Sequence, residues 1–244
     1  MNSRNYGFTF EGESVFSHIQ REAPQPSATE LDNDFYVFMM GPYTAFDATY
    51  AYSDGEQLQS PFIDDPLFKP EKHITSEGRG SFKLALEDLC QTLRDRFGVH
   101  SFLATDITIP TETEANKNEE SMSVLDQSVA FAAVSDAVVF VFSEAGLTTG
   151  VGSEVGAILG EFHLRKGNPE PIRKPRERFR IFKTKGFSSA SVDEIPSTYD
   201  VDTVGFETRK ELINKVQHFL ASIERDDPDR PLPIFNPYSR GDFD

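Results

Sequence analysis

The strongest constraint on the fold comes from two short runs without charged residues, FYVFMM at 35–40 and AVVFVF at 137–142. A strand that is apolar at successive positions is buried on both faces, as the central strands of a parallel sheet are. Helix-period stretches at 81–98, 123–136 and 209–225 alternate with the strand-like segments, which indicates βαβ units. The sequence therefore predicts an α/β, Rossmann/flavodoxin-like three-layer fold with a mainly parallel sheet of about five strands.

One α/β domain is predicted over residues 34–226, with extensions at both ends. Residues 1–33 are polar and end in a Pro/Ser/acid stretch, which indicates an N-terminal arm or linker. Residues 227–244 are rich in proline and aromatics and indicate an extended, docked tail. The segment 43–80 has no sustained period and is long for a connection, as lids and binding loops are. The remaining strands are predicted at 99–107, 177–184 and 204–208.

The charge balance disfavours two classes of partner. Asp and Glu number 40 against 24 Lys and Arg, so the formal net charge is −16, which repels both nucleic acid and anionic membrane surfaces. Such an excess of carboxylates is also typical of halophilic proteins, because high salt screens their repulsion. The chain has neither an apolar signal segment at its start nor a run of the ~18–20 apolar residues that cross a membrane. We therefore expect a cytoplasmic protein.

Metal and cofactor motifs are not found in the sequence. The five histidines lack metal-ligand spacing to one another or to Cys90, so no metal site is predicted. Cys90 lies in an apolar-periodic stretch and is predicted to pack as a small hydrophobe. In GVGSEVG the third glycine falls one residue late for a dinucleotide fingerprint, and no Lys-Ser/Thr pair completes a P-loop. We predict no cofactor.

Glu154 is the first candidate functional residue. It lies in SEAGLTTGVGSEVGAILG at 143–160, where Ser153 is a candidate N-cap that would make Glu154 the first helical residue. Backbone N–H groups from Thr148 to Ser153 are candidates for an anion nest. Two interpretations stay open. Glu154 complements the helix dipole, worth ~0.3–1 kcal/mol, or it is catalytic at the carboxyl end of a parallel strand.

Asp126 is the second candidate carboxylate. It follows Ser123 by three residues, which is a capping-box spacing and gives it a structural explanation. The functional interpretation rests on topology, since Asp126 begins the helix before the 137–142 strand and Glu154 begins the helix after it. Residues 165–185 hold nine of the 24 basic residues. A helix terminus followed by a solvated edge strand is favoured there over an anion site.

The stretch VLDQSVAFAAVSDAVVFVFSEAGLTTGVGSEVGAIL at 124–159 resembles the core of the nucleoside 2-deoxyribosyltransferase superfamily, which includes the 2-deoxynucleoside 5-phosphate N-hydrolases. Those enzymes have an Asp at a helix start, a buried strand, a Gly-rich turn and then Glu-x-Gly-x-Ala. The counterparts here are Asp126, the 137–142 strand, TTGVGSE and Glu154. VFMMGPYT at 37–44 is similar to the family's opening strand and turn, with Tyr43 where a residue often orients the catalytic Glu.

The resemblance implies an N-glycosidic bond hydrolase or transferase acting on a small nucleoside-like substrate. Glu154 would attack the sugar C1′, Asp126 would manage protons on the leaving base, and Tyr43 would orient Glu154. GPYTAFD lacks the Arg of the monophosphate hydrolases, which favours a nucleoside-like substrate over a monophosphate. The resemblance also implies a homodimer or higher homo-oligomer. The expected substrate-binding residues are Gly41, Thr148, Thr149, Gly150, Gly152 and Ser153.

Two alternatives stay open beside catalysis. The same loop could serve a non-catalytic sensor module that binds a nucleotide-derived ligand. The chain could also be a structural descendant in which Glu154 only caps its helix.

Overall fold

The computed structural model describes residues 7–26, 34–43, 45–47, 52–53, 57–58, 62, 65–117, 119–145, 149–162, 164 and 174–226. The strands in these ranges are β1 (Thr9–Phe10), β2 (Glu13–Ser14), β3 (Tyr36–Met40), β4 (Ala45–Asp47), β5 (Tyr52–Ser53), β6 (Gln57–Leu58), β7 (Arg79–Ser81), β8 (His100–Phe102), β9 (Ala137–Phe142), β10 (Phe179–Thr184) and β11 (Thr203–Phe206). The helices are α1 (Val15–Glu22), α2 (Pro70–His73), α3 (Phe82–Phe97), α4 (Val124–Val134), α5 (Thr149–Glu161), α6 (Ala190–Asp193), α7 (Ile195–Tyr199) and α8 (Arg209–Asp226).

The central sheet has five parallel strands in the order β11-β10-β9-β3-β8. Numbered along the chain, this is the order 2-1-3-4-5 of flavodoxin-like doubly wound folds. The predicted fold class is therefore confirmed. The chain moves from β3 outward to β8 and then returns to the other side of β3 as β9. The boundary between β3 and β9 is consequently the topological switch point of the sheet.

Alternate residues of β3 and β9 face two separate hydrophobic cores. Phe38 and Phe140 point into the core that α1, α4 and α5 cover, whereas Met39 and Val139 point into the core under α3 and α8. Both strands are buried at every position, which explains why they are apolar throughout. The result is a three-layer arrangement. No helix in the described ranges is long and apolar enough to cross a membrane.

Most predicted elements occur within about two residues of their predicted ends. The predicted helix 81–98 is α3, which ends where Gly98 adopts the left-handed conformation with φ 61°. The predicted strand 99–107 is shorter than expected, because a 3₁₀ turn begins at Ala104. The side chain of Asp106 accepts the N–H of Leu103 at 2.8 Å and so stabilises this turn.

Residues 7–26 differ from the predicted arm because they pack against the domain. Ser14 caps α1 by accepting the Ser17 N–H at 3.1 Å, and Val15 and Ile19 are fully buried. An eight-residue amphipathic helix within a polar segment leaves little periodicity to detect, which is why this packing was not predicted. The predicted C-terminal tail at 227–244 lies outside the described residues.

The described parts of the 43–80 insertion form a cap on the α3 side of the domain. β4 pairs with β7, and an aromatic cluster of Phe46, Phe62 and Phe68 has ring centroids 5.0–5.5 Å apart. Gly80 leaves the space that the Phe46 ring occupies, since a Cβ there would lie 2.2 Å from it. The insertion is therefore packed through aromatic side chains that the sequence pattern alone did not pair.

The described basic residues of the 165–185 segment have local partners, which supports the structural interpretation. The predicted edge position is wrong, however, because β10 lies between β9 and β11. Lys174 is buried and donates to the carbonyl of Ser135. The ion pairs are Arg180–Asp202 at 2.7 Å, Lys183–Asp193 at 2.5 Å and Lys185–Glu207 at 2.6 Å.

We predict that Gly41→Ala destabilises the fold through overpacking at the switch point. A Cβ on Gly41 would lie 2.8 Å from the Leu86 Cδ1 and 3.1 Å from the carbonyl oxygen of Val141, and Leu86 is fully buried. The free energy of unfolding in urea should fall by about 1–3 kcal/mol. Gly160→Ala is the control, because nothing lies within 4 Å of its Cβ position. This control should gain about 0.5–1 kcal/mol of helix stability. Equal stability of the two variants would contradict the close packing of Gly41 against Leu86 and Val141.

Candidate functional site

The candidate site lies where the chain leaves β3 and β9 at the carboxyl ends of the strands. Gly41, Pro42 and Tyr43 follow β3, and Ser143 and the residues that lead to α5 follow β9. Doubly wound sheets bind ligands in the crevice at this position, because adjacent crossover connections diverge to opposite faces there. The fold thus brings the two predicted site segments, 100 residues or more apart in sequence, to neighbouring strands.

The start of α5 differs from the prediction. The helix begins at Thr149, so Ser153 lies inside it and Glu154 is its sixth residue rather than its first. The Gly/Thr composition suggested a loop, but the backbone from Thr149 onward is helical. The predicted N-cap at Ser153 is therefore wrong. The effect of a helix dipole falls off after the first turn, so dipole complementation does not explain Glu154.

Glu154 has no stabilising partner among the described residues. Its carboxylate is partly buried and makes no hydrogen bond or ion pair with them, and burial raises its pKa above the ordinary value of 4.5. A partly buried carboxylate without donors disfavours folding, because desolvation is not offset by hydrogen bonds. Such groups are concentrated at functional sites.

The charge of Glu154 affects the pKa of Tyr43. Burial is the main cause that raises the pKa of Tyr43, and the negative charges of Glu154 and Asp106 raise it further. The backbone of Ala104 approaches the hydroxyl and opposes this shift more strongly than either of these charges adds to it, but no hydrogen bond of normal geometry forms within the described residues. Tyr43 therefore stays a neutral phenol, with an O–H group available to a carboxylate or a ligand.

Asp106 is a site residue that the sequence analysis missed. It lies in the 3₁₀ turn just after β8, the strand next to β3, and its charge acts on Tyr43. The available signal was its position at the carboxyl end of a predicted strand, where polar side chains of an α/β sheet meet. The structure therefore places a second carboxylate near Tyr43.

Asp65 is the other residue that the sequence did not reveal. Its Oδ1 accepts the N–H groups of Leu67 at 2.9 Å and Phe68 at 3.0 Å, and its Oδ2 accepts the hydroxyl of Ser143. Burial raises the pKa of Asp65, while these backbone N–H groups and that of Ala145 lower it in part. Asp65 thereby ties the insertion to the loop after β9. Its partner Ser143 is 78 residues away, so no local pattern could indicate the contact.

Asp126 has the structural role that its spacing suggested. Its backbone N–H donates to the Ser123 hydroxyl at 3.1 Å, and that hydroxyl donates to the Asp126 carboxylate at 2.7 Å. The side chain is exposed at the start of α4, and its charge has no resolved effect on the pKa of Glu154. Of the three predicted catalytic residues, Glu154 thus acts electrostatically on Tyr43, whereas Asp126 is engaged in helix capping.

The predicted substrate-binding residues have different outcomes. Gly41 is needed for packing against Leu86, as described above, so its lack of a side chain does not indicate a ligand. Thr148 lies outside the described residues, and Thr149 and Gly150 open the first turn of α5. Ser153 is exposed. Gly152 borders open space, where only the Ser191 Oγ would come within 3.9 Å of a Cβ.

The described residues offer neither a cluster of metal-binding side chains nor a reactive thiol. In these residues no group of three His, Cys, Asp or Glu side chains lies close enough to hold a metal ion. Burial raises the pKa of Cys90 to about 12, so its thiol is protonated and a poor nucleophile at neutral pH. The candidate chemistry therefore rests on carboxylates and a phenol.

We predict that Asp65→Ala loosens the insertion from the site. The change leaves the Leu67 and Phe68 N–H groups and the Ser143 hydroxyl without their acceptor, which should lower the free energy of unfolding by about 1–3 kcal/mol. Amide hydrogen exchange at Leu67 and Phe68 should accelerate. Asp65→Asn keeps one acceptor oxygen and should have a smaller effect. Unchanged exchange in the Ala variant would show that Asp65 does not hold the insertion.

Comparison with known proteins yields one similarity. The family described as "Domain of unknown function (DUF7509)" matches residues 19–236, a range that includes the whole parallel sheet, the insertion and the candidate site. No curated protein and no solved structure was found to be similar to the chain. Because the match covers far more than half of the sequence, the protein belongs to the DUF7509 family.

Proposed function

We propose that this protein hydrolyses or transfers the N-glycosidic bond of a nucleoside-like compound, with Glu154 as the nucleophile at the sugar C1′. The observation that carries the proposal is the Glu154 carboxylate, partly buried, unpaired among the described residues and close enough to Tyr43 to raise its pKa. It lies on the helix that follows the switch-point strand β9. The resemblance of residues 124–159 to deoxyribosyltransferases supplies the substrate class.

The proposed reaction has two displacements at C1′. A Glu154 oxygen bonds to C1′ while the C1′–N bond breaks, and its electron pair leaves with the base, which takes up a proton. Water or a second base then attacks C1′, passes a proton to the group that protonated the first base, and releases the Glu154 carboxylate. The O–H of Tyr43, which has no partner among the described residues, would donate to the Glu154 carboxylate once the substrate is bound and hold the attacking oxygen in place.

The proton for the leaving base has two candidate donors. The resemblance assigns this role to Asp126, which is also bonded to Ser123. Asp106 is the alternative, because its charge acts on Tyr43 and it lies after the strand beside β3. The kinetic effects of Asp126→Asn and Asp106→Asn on base release distinguish them. Loss of the true donor should slow the release of poor leaving bases more than the release of good ones, whereas loss of the other carboxylate should slow all bases equally.

Ligand binding without turnover is the second candidate function. It is favoured by the capping role of Asp126, which leaves that residue exposed and engaged with Ser123. In this case Glu154 and Tyr43 would hydrogen-bond the hydroxyl groups of a nucleotide-derived ligand. Such a protein would gain thermal stability from nucleosides without releasing base.

The proposal includes a homodimer or higher homo-oligomer located in the cytoplasm, without nucleic acid as a partner. Val124 and Leu125 support a subunit contact, because they remain 49% and 45% exposed although they are large and apolar. They adjoin Asp126 at the carboxyl end of the sheet. A neighbouring subunit that covered them would also close this side of the site.

We predict that Glu154→Gln lowers the rate of base release at least ~10²-fold, because the amide cannot form the glycosyl ester. The assay is chromatography of bases released from nucleosides, deoxynucleosides, their monophosphates and NAD at high and low salt. Glu161→Gln is the matched control, an exposed Glu on the same helix. The nucleophile assignment would be refuted if neither wild type nor the control released any base. It would also be refuted if Glu154→Gln released base as fast as wild type.

The raised pKa of Glu154 predicts a second effect, on pH dependence. Only the ionised carboxylate attacks C1′, so kcat/KM should fall on the acid side at a pH above the ordinary Glu value of 4.5. Burial disfavours the charged form, so Glu154→Gln should be more stable than wild type by an amount that grows as the pH rises above the ordinary Glu value of 4.5 and levels off once Glu154 is ionised in the folded protein. Thermal unfolding at several pH values measures this difference. A difference that shrinks as the pH rises would contradict the burial of Glu154.

A further inference from the structure

A groove of about 270 Å³ lies at the β11 edge of the sheet, between the strands β10 and β11 and the helix α8. Val204 of β11 is only partly buried there, whereas Phe182 and Phe206 on the same face of the sheet are fully buried. The strands of a parallel sheet are normally covered on both faces, so the outer part of β11 is incompletely covered. α8 lines the other side of the groove with Lys215, His218, Phe219 and Ser222.

The arginine and the lysine that line the groove already have partners. Arg180 pairs with Asp202 at 2.7 Å. Lys215 donates to the Gly205 carbonyl at 2.5 Å and to the Glu211 carboxylate at 2.6 Å. An anionic ligand would have to displace these partners, and the groove is smaller than the ~300–1,000 Å³ of small-molecule sites. The groove therefore suits a protein side chain better than a free anion.

The accessible surface inside the groove is mainly apolar. Val204 contributes its partly exposed side chain, and the guanidinium carbon of Arg180 lies 5.1 Å from the centre of the Phe219 ring. With their charged ends engaged, Arg180 and Lys215 border the groove through their methylene stems. An apolar side chain placed in the groove would remove this surface from water.

The edge of β11 is protected against the addition of another strand. Gly205 lies in this edge strand, and its carbonyl accepts the hydrogen bond from Lys215. A lysine at an edge strand opposes pairing with a further strand. An occupant of the groove should therefore pack through its side chains rather than extend the sheet.

The C-terminal segment of the chain starts beside the groove. α8 ends at Asp226, one helical turn after Ser222, and residues 227–244 follow directly. The groove runs roughly 10 Å along α8, from Ser222 to Lys215, at 1.5 Å per helical residue. The nine residues from Asp226 to Phe235 can span about 30 Å when extended. The segment is therefore long enough to turn back along α8 and reach the whole groove.

The composition of this segment also suits the groove. Residues 231–235 read PLPIF and contain three large apolar side chains. The two prolines favour extended backbone and lack the N–H groups that a sheet strand donates, so the segment loses little conformational entropy on docking. The DUF7509 match continues to residue 236, ten residues beyond α8, so PLPIF belongs to the region that the family shares.

We propose that residues 231–235 dock in this groove of their own chain, with the side chain of Ile234 or Phe235 against Val204 and the ring of Phe219. The docked segment covers the outer part of β11 and completes the layer that α3 and α8 form on this face. This contact is additional to the proposed glycosidic chemistry and does not depend on it.

The test uses tryptophan fluorescence of the full chain. The sequence contains no tryptophan, so Phe235→Trp introduces a single reporter. We expect emission at shorter wavelength than in the urea-unfolded chain and protection from acrylamide quenching, because a docked ring is shielded from water. Both properties should be independent of protein concentration, since the contact lies within one chain.

A second substitution tests the position of the contact. Ser222→Arg, added to the reporter variant, places a long side chain in the groove and should restore quenching towards that of the unfolded chain. Asn214→Arg adds the same side chain at an exposed position of α8 outside the groove and should leave the reporter shielded. Arginine is a good helix former, and circular dichroism checks that both variants keep the fold.

Three results would overturn the proposal. The first is equal quenching of the reporter in the folded and in the urea-unfolded chain, which would show that the segment is not docked. The second is shielding that Ser222→Arg leaves unchanged, which would place the segment at another surface. The third is shielding that is lost on dilution, which would assign the contact to a second copy of the chain.

Discussion

The burial of β3 and β9 side by side, on both of their faces, is the constraint on which the rest of the structure depends. Phe38 and Phe140 require helices on one face, while Met39 and Val139 require helices on the other. Helices must therefore follow β3 and β9 to opposite sides of the sheet. The loops that carry Tyr43 and lead to Glu154 diverge at this boundary, and the same packing that stabilises the core opens the crevice of the candidate site.

Sequence patterns predicted those parts of the fold whose cause is local. The apolar run of β9 and the Gly98 C-cap of α3 were predictable, because burial and left-handed backbone have direct sequence signatures. The start of α5 was not, since Thr and Gly favour loops and tertiary packing of Val155 and its neighbours overrides that preference. In the candidate site, Tyr43 and Glu154 could be named from the sequence because each follows an apolar strand run. Asp65 was missed because its partner Ser143 is distant in sequence.

The described basic residues of this acidic chain differ in how their positive charge is compensated. The described lysines and arginines of β10 reach a carboxylate across the nearest loop, and this pairing explains the basic segment without a ligand. Arg94 differs, because it is more deeply buried and has only neutral acceptors. With 40 acidic residues in the sequence, the unpaired state of Arg94 reflects its position rather than a shortage of partners. Position relative to carboxylates is thus more informative than the density of basic residues along the chain.

Glu154 and Asp126 come from one continuous motif, yet their surroundings give them different chemistry. Asp126 is solvated and bonded to Ser123, so its charge stabilises the start of α4 and has a direct structural benefit. Glu154 is partly desolvated, has no donor among the described residues and lies beyond the helix dipole, so its charge opposes folding. A chain in which this position served only structure would be more stable with an uncharged side chain. The destabilising carboxylate is therefore the one of the pair that has no structural role among the described residues.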